Sequence, residues 1–151
     1  MKKLKILFVC TGNTCRSPMA EVILRKKLKF AGINNVSVSS AGLTAIDGDK
    51  MNENSRKALK NLGYRAGAFK SKLASGKMLI ESDIIICMTD SHKMAISNFP
   101  SVFTVSEFTG LSNVLDPYGL GINEYIKASK QIEDACNKII EKIIEIQGEQ
   151  L

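Results

Sequence analysis

The residues best able to do chemistry stand together near the start of the chain, in Cys10-Thr11-Gly12-Asn13-Thr14-Cys15-Arg16-Ser17-Pro18. Leu4 to Val9 before them is a short apolar run rich in β-branched and aromatic residues, the pattern of a buried strand. After them Met19, Ala20, Ile23, Leu24 and Leu28 recur at helical spacing, and Pro18 suits a first helical turn. A loop joining a strand to a helix can aim successive N–H groups at one point, where the helix N-terminus adds positive potential. The expected product is a cradle for an anion, with Cys10 at its base and Arg16 at its rim.

Each residue type has a reason to be there. A thiol among inward N–H groups, a helix N-terminus and a guanidinium ionises early, at a pKa of roughly 3.5–7.5 instead of about 8.5. Arg16 can grip two phosphoryl oxygens at once, which a lysine cannot. Gly12 permits a positive φ where the loop turns, and Asn13 tolerates a left-handed backbone while its side chain braces the loop. Ser17 has two uses open to it: capping the helix, or donating to the Cys10 sulfur. Thr11, Gly12, Asn13, Thr14, Cys15 and Ser17 are therefore the candidate anion-binding residues around Cys10 and Arg16.

A Cys-x5-Arg-Ser loop after a strand, with Asp116-Pro117 far downstream, resembles the low-molecular-weight protein tyrosine phosphatases over nearly the whole chain. The resemblance implies a phosphocysteine mechanism. It makes Asp116 the expected general acid toward the leaving group and then general base toward water. It also implies that Tyr118 lines the cleft, that residues 43 to 50 wall one side of it, that Ser40 hydrogen-bonds Asn13, and that Cys10 and Cys15 can form a reversible disulfide under peroxide. Phe69 falls near where these phosphatases often place a bracing histidine, so the network around Asn13 must be smaller or differently closed.

The segment Cys-Thr-Gly-Asn-Thr-Cys-Arg-Ser-Pro-Met-Ala-Glu, from Cys10 to Glu21, is most similar to the bacterial protein arginine phosphatases. Tyrosine phosphatases of the family usually carry Ile or Leu directly after the nucleophile, where this chain has Thr11. A smaller, hydroxylated residue suits a polar guanidinium, so Thr11 is the expected selector for phosphoarginine over phosphotyrosine. Three other readings stand beside this one: a plain tyrosine phosphatase, a thioredoxin-coupled arsenate reductase and a non-enzymatic phosphate-binding module. Cys87 at a strand end resembles the second cysteine of the reductases, but residues 88 to 95 hold no third.

The rest of the chain must position these groups. At 151 residues one domain, 1–151, is expected, with no repeats and no linkers. Strands are predicted at Leu4 to Val9, Val36 to Ser40, Ile84 to Met88 and Val102 to Val105. Helices are predicted from Ser17 to about Phe30, Asn52 to Leu62, Ala74 to Glu81, Ser91 to Asn98 and Ile122 to about Ile146. Strands alternating with helices define an α/β three-layer sandwich with a four-stranded parallel sheet and helices on both faces. The strand order 2-1-3-4 is what the resemblance implies. His92, the single histidine, reads as a surface or capping residue.

A net charge of +6 invites a nucleic-acid reading, but the lysines are scattered along helices and no nucleic-acid motif is present. The charge instead favours anionic substrates by long-range steering. No apolar run approaches a membrane span, and four cysteines without zinc spacing read as reduced thiols. The expectations are a cytoplasmic monomer, no cofactor or metal, no nucleic-acid or membrane partner, and a phosphorylated protein as substrate.

Overall fold

Along the first strand, Ile6, Phe8 and Cys10 join one buried cluster, while Leu7 and Val9 join another. Alternate side chains of a strand point to opposite faces, so a run that is apolar at every position must be covered on both sides. The computed structural model, which describes residues 3–149, meets that demand. Its sheet comprises β1 (Leu4–Cys10), β2 (Val36–Gly42), β3 (Ile84–Cys87) and β4 (Val102–Thr104), all parallel in the order β2-β1-β3-β4. This is the expected α/β architecture.

Six helices fill the layers: α1 (Arg16–Phe30), α2 (Glu53–Asn61), α3 (Gly76–Glu81), α4 (Asp90–Ala95), α5 (Val105–Thr109) and α6 (Ile122–Glu149). The larger cluster sets Ile6, Phe8 and Ile86 against Met19 and Ile23 of α1, Leu59 of α2, and Tyr125, Ile132 and Ile139 of α6. The smaller cluster sets Leu7, Val9 and Ile85 against Leu79 of α3 and Ile96 just beyond α4. Each fully buried aliphatic or Phe side chain contributes about 1.5–3 kcal/mol relative to exposure. Both faces therefore hold β1 still beneath the loop that follows it.

Several element ends shift by a few residues from the sequence reading, and two of these differences matter. Val105 leaves the strand and opens α5, a helix that the β-branched run Val102 to Val105 concealed. Its signal was a Thr-x-x-Glu box: Thr104 accepts from the Glu107 amide, and the Glu107 carboxylate accepts from the Thr104 amide. The first helix begins at Arg16, with Cys15 as its cap residue, so Ser17 does not cap it. Among the described residues no helix is long and apolar enough to cross a membrane.

Candidate active site

Cys10 is the last residue of β1, with its sulfur beneath the loop that leads into α1. The tight point of that loop is Asn13, at φ 55°; Gly12 does not adopt a positive φ, contrary to the sequence reading. The indispensable glycine is Gly42, at the end of β2. A Cβ there would stand 2.7 Å from both Asn13 N and Thr11 O, closer than a carbon can approach backbone. The rest of the loop is tied to its surroundings by Thr44 N→Thr11 O at 2.9 Å and Asn52 N→Thr14 O at 2.8 Å.

Asn13 is wholly buried, and every polar group of its side chain is engaged. Its Oδ1 accepts from Lys72 N at 2.9 Å, which fixes which end of the amide is oxygen. Nδ2 therefore donates to Ser17 Oγ and to Ser40 Oγ, both at 2.9 Å. The hydroxyls must then pass their own protons onward. Ser40 donates to Glu21 Oε1 at 2.9 Å, and Ser17 donates to Cys10 Sγ at 2.8 Å. The buried Glu21 carboxylate is itself paired with Arg25, 3.2 Å away. The Ser17 oxygen, which a cap would offer to an amide of the first turn, instead accepts from Asn13 Nδ2 at a position one residue inside the helix.

Arg16 is buried at its stem and held by Nη1→Val114 O at 3.0 Å. Its Nη2 lies 3.5 Å from Asp116 Oδ2. Asp116 is half-exposed, its Oδ1 accepting from Tyr118 N at 3.1 Å, and Pro117 behind it is buried. Cys10, Thr11, Gly12, Thr14, Cys15, Arg16, Asp116 and Tyr118 all line one open cavity of about 270 Å³. Thr44, Ile46 and Asp49 form its other wall, within the segment 43 to 50. Of the sequence-derived site residues, Asn13, Ser17 and Ser40 stand behind this lining and brace it.

The electrostatics qualify the expectation of an early-ionising thiol. Burial pushes the Cys10 thiol up, against the downward pull of the Ser17 hydroxyl, the Ser17 and Asn13 amides and the Arg16 guanidinium. All the stabilising groups are in place, but in this unliganded site desolvation outweighs them. Cys15 and Cys10 are both free thiols, and Cys15 Sγ sits 3.6 Å from the buried Tyr125 hydroxyl. Cys87 is wholly buried, and burial pushes its thiol up to about 12, the behaviour of a core residue.

Several residues were missed by sequence reasoning. Ser71 donates to Asn13 O at 2.6 Å, so Ser71 and the Lys72 amide close the network in the segment that carries Phe69. Glu21, the buried partner of Ser40, has its signal in the sequence as a carboxylate on the apolar face of a helix. His92 is neither a surface residue nor a cap. Its ring is buried and its Nε2 lies 2.9 Å from Thr11 Oγ1. The cap of α4 is Thr89, whose hydroxyl accepts from the His92 amide at 3.4 Å.

A strand-loop-helix turn with a cysteine at its base, at the carboxyl edge of a 2-1-3-4 sheet, defines a class. The chain belongs to the low molecular weight phosphotyrosine protein phosphatase family, whose description matches residues 5–149. Among its relatives, a protein-arginine-phosphatase of Geobacillus stearothermophilus is 34% identical over 92% of this chain and 95% of the relative. A low molecular weight protein-tyrosine-phosphatase, PtpB of Staphylococcus haemolyticus, is 34% identical over 85% of this chain and 92% of its own. The solved structure of the YwlE arginine phosphatase from Geobacillus stearothermophilus superposes with a TM-score of 0.88 at 33% identity, covering 98% of this chain and 97% of that one. A low molecular weight protein tyrosine phosphatase from T. tengcongensis gives 0.86 at 36% identity, covering 93% and 99%.

Proposed function

We propose that this protein is a cysteine-dependent phosphatase of the cytoplasm that removes phosphate from arginine side chains of proteins. The observation that carries the reading is the convergence of Cys10, Arg16 and Asp116 on one cavity, with Ser17 donating to the sulfur. Arg16 and the loop amides hold the phosphoryl oxygens. The Cys10 thiolate attacks phosphorus as the bond to the leaving atom breaks, and Asp116 supplies the proton that atom takes. Water, deprotonated by Asp116, then attacks the phosphocysteine, and the sulfur leaves as thiolate with the Ser17 hydroxyl stabilising it.

The choice of arginine rests on the cavity wall, to which Thr11 and Thr14 both contribute. Thr11, the selector expected from sequence, has its hydroxyl engaged with His92. Thr14 Oγ1 has the Cys15 sulfur at 3.7 Å as its side-chain partner and remains available to a ligand. A guanidinium carries N–H groups flanking the phosphorylated nitrogen and gains from such an acceptor, whereas a phenyl ring gains nothing. The selecting role therefore passes to Thr14. Phosphotyrosine is the second reading, favoured by Tyr118 and Ile46, exposed apolar side chains at the mouth. The test compares metal-free hydrolysis of one peptide sequence carrying phosphoarginine or phosphotyrosine. Preference for the first is expected; preference for phosphotyrosine overturns the arginine assignment, and no hydrolysis of either overturns the phosphatase reading.

A further inference from the structure

His92 is the buried titratable group that phosphoryl transfer, as described, leaves unused. Its ring is 5% exposed, Nε2 is 2.9 Å from Thr11 Oγ1, and Nδ1 is buried without a hydrogen-bond partner. Thr11 directly follows the nucleophile. Its carbonyl is held from the β2 side by the Thr44 amide at 2.9 Å, while its hydroxyl is held from α4 by the histidine.

A neutral imidazole has one N–H and one lone pair. A proton on Nδ1 would be a buried donor with no acceptor, a rare and costly arrangement. A proton on Nε2 has the Thr11 oxygen as acceptor and leaves only a lone pair unused. With that lone-pair site of Oγ1 occupied, the Thr11 hydroxyl keeps its own hydrogen, and the other side of Thr11 faces the cavity shared with Cys10 and Arg16. We propose that His92 is a positioning residue: by donating Nε2–H to Thr11 Oγ1, it turns the Thr11 O–H into the cavity as a further donor to the transferring phosphoryl group. Burial and the nearby Arg16 guanidinium push the His92 pKa down to about 4, with Asp116 pulling the other way, so the ring is neutral at neutral pH.

This inference rests on the phosphatase reading, and the experiment separates the two. The variants are His92→Phe, which keeps shape without a donor, His92→Gln, whose amide places an N–H at similar reach, Thr11→Val, Thr11→Ser and the His92→Phe/Thr11→Val pair. For each, kcat and KM toward p-nitrophenyl phosphate are measured beside the thermal midpoint. The expected result is that His92→Phe and Thr11→Val each lower kcat about tenfold, that the pair loses no more than Thr11→Val alone, and that His92→Gln and Thr11→Ser recover most of the loss. A purely structural histidine would lower the thermal midpoint and give losses that multiply in the pair. Multiplying losses, undiminished kcat in His92→Phe, or no recovery by His92→Gln each overturn the inference. If His92→Phe does not fold, Thr11→Val and Thr11→Ser decide it, because equal kcat in those two removes the hydroxyl that His92 is said to aim. A wild type inactive on every phosphate tested overturns the phosphatase reading and this inference with it.

Discussion

In the unliganded site Arg16 Nη2 lies 3.5 Å from Asp116 Oδ2, so the anion-binding guanidinium and the proposed proton donor hold each other. In the proposed mechanism a phosphoryl group entering the loop would compete for the same guanidinium edge. Its arrival would free the Asp116 carboxyl to turn toward the leaving atom, while Nη1 of the buried Arg16 stays bonded to Val114 O. The half-exposed Asp116 has room for that turn; Arg16 has none.

Asp116→Asn follows directly. The amide keeps the shape and the bond from the Tyr118 amide but has no proton to give. Positioned acid catalysis contributes about 10²–10⁴-fold. With poor leaving groups kcat should fall by about 100-fold or more, and with an activated aryl phosphate by much less. Steady-state kinetics over a series of phenols of rising pKa checks this. A loss that does not grow with leaving-group pKa would remove Asp116 from proton donation.

Ser17→Ala tests the polarity of the Asn13 network. The orientation of the Asn13 amide makes Ser17 a donor to sulfur, and a hydrogen bond to a charged group is worth about 1.5–3 kcal/mol. Losing it should raise the Cys10 pKa by about 1–2 units, since one unit corresponds to about 1.4 kcal/mol. The pH dependence of iodoacetamide alkylation reports the thiolate directly. Its midpoint should move to higher pH; an unmoved midpoint would mean that the hydroxyl does not donate to the sulfur.

The contrast between Cys10 and His92 explains how much of this site was legible in the sequence. Strand, loop and first helix were readable because each constraint is local: an apolar run, an asparagine able to turn left-handed, and a helical apolar face. The contacts that complete the site span the chain. Ser71 and Lys72 reach Asn13 across 58 and 59 residues, and His92 reaches Thr11 across 81. No periodicity encodes such pairings, and a histidine in a short helix looks the same whether it faces water or a loop. Ser17 was ambiguous for a different reason. Its hydroxyl suited two partners equally, and only the fixed direction of the Asn13 amide selects between them.

Replacing the two cavity threonines separates recognition from catalysis. Thr14→Ile adds apolar surface and removes the unengaged hydroxyl, so the ratio of kcat/KM for phosphoarginine over phosphotyrosine should fall by about tenfold. Single apolar changes discriminate by about 1–3 kcal/mol. Thr11→Ile instead removes the partner of His92 and should lower kcat for both substrates alike. A ratio that shifts on Thr11→Ile and not on Thr14→Ile would return the selecting role to Thr11.

The buried histidine also sets a pH dependence of stability. In the folded chain its pKa is held down at about 4, by burial first and Arg16 second, against an ordinary value of about 6.5. Between those two values the unfolded chain carries a proton on His92 that the folded chain excludes. Stability from this group is therefore complete above about pH 6.5 and declines as pH falls toward 4, at no more than about 1.4 kcal/mol per pH unit. Carboxylates titrate near the lower end of that window, so the informative quantity is the difference between wild type and His92→Gln, which has nothing to protonate. Urea unfolding from pH 7 to pH 5 should show the wild type losing stability faster than the variant. Parallel curves would mean that His92 titrates alike in the folded and unfolded chains, and the exclusion of its proton by burial would have to be given up.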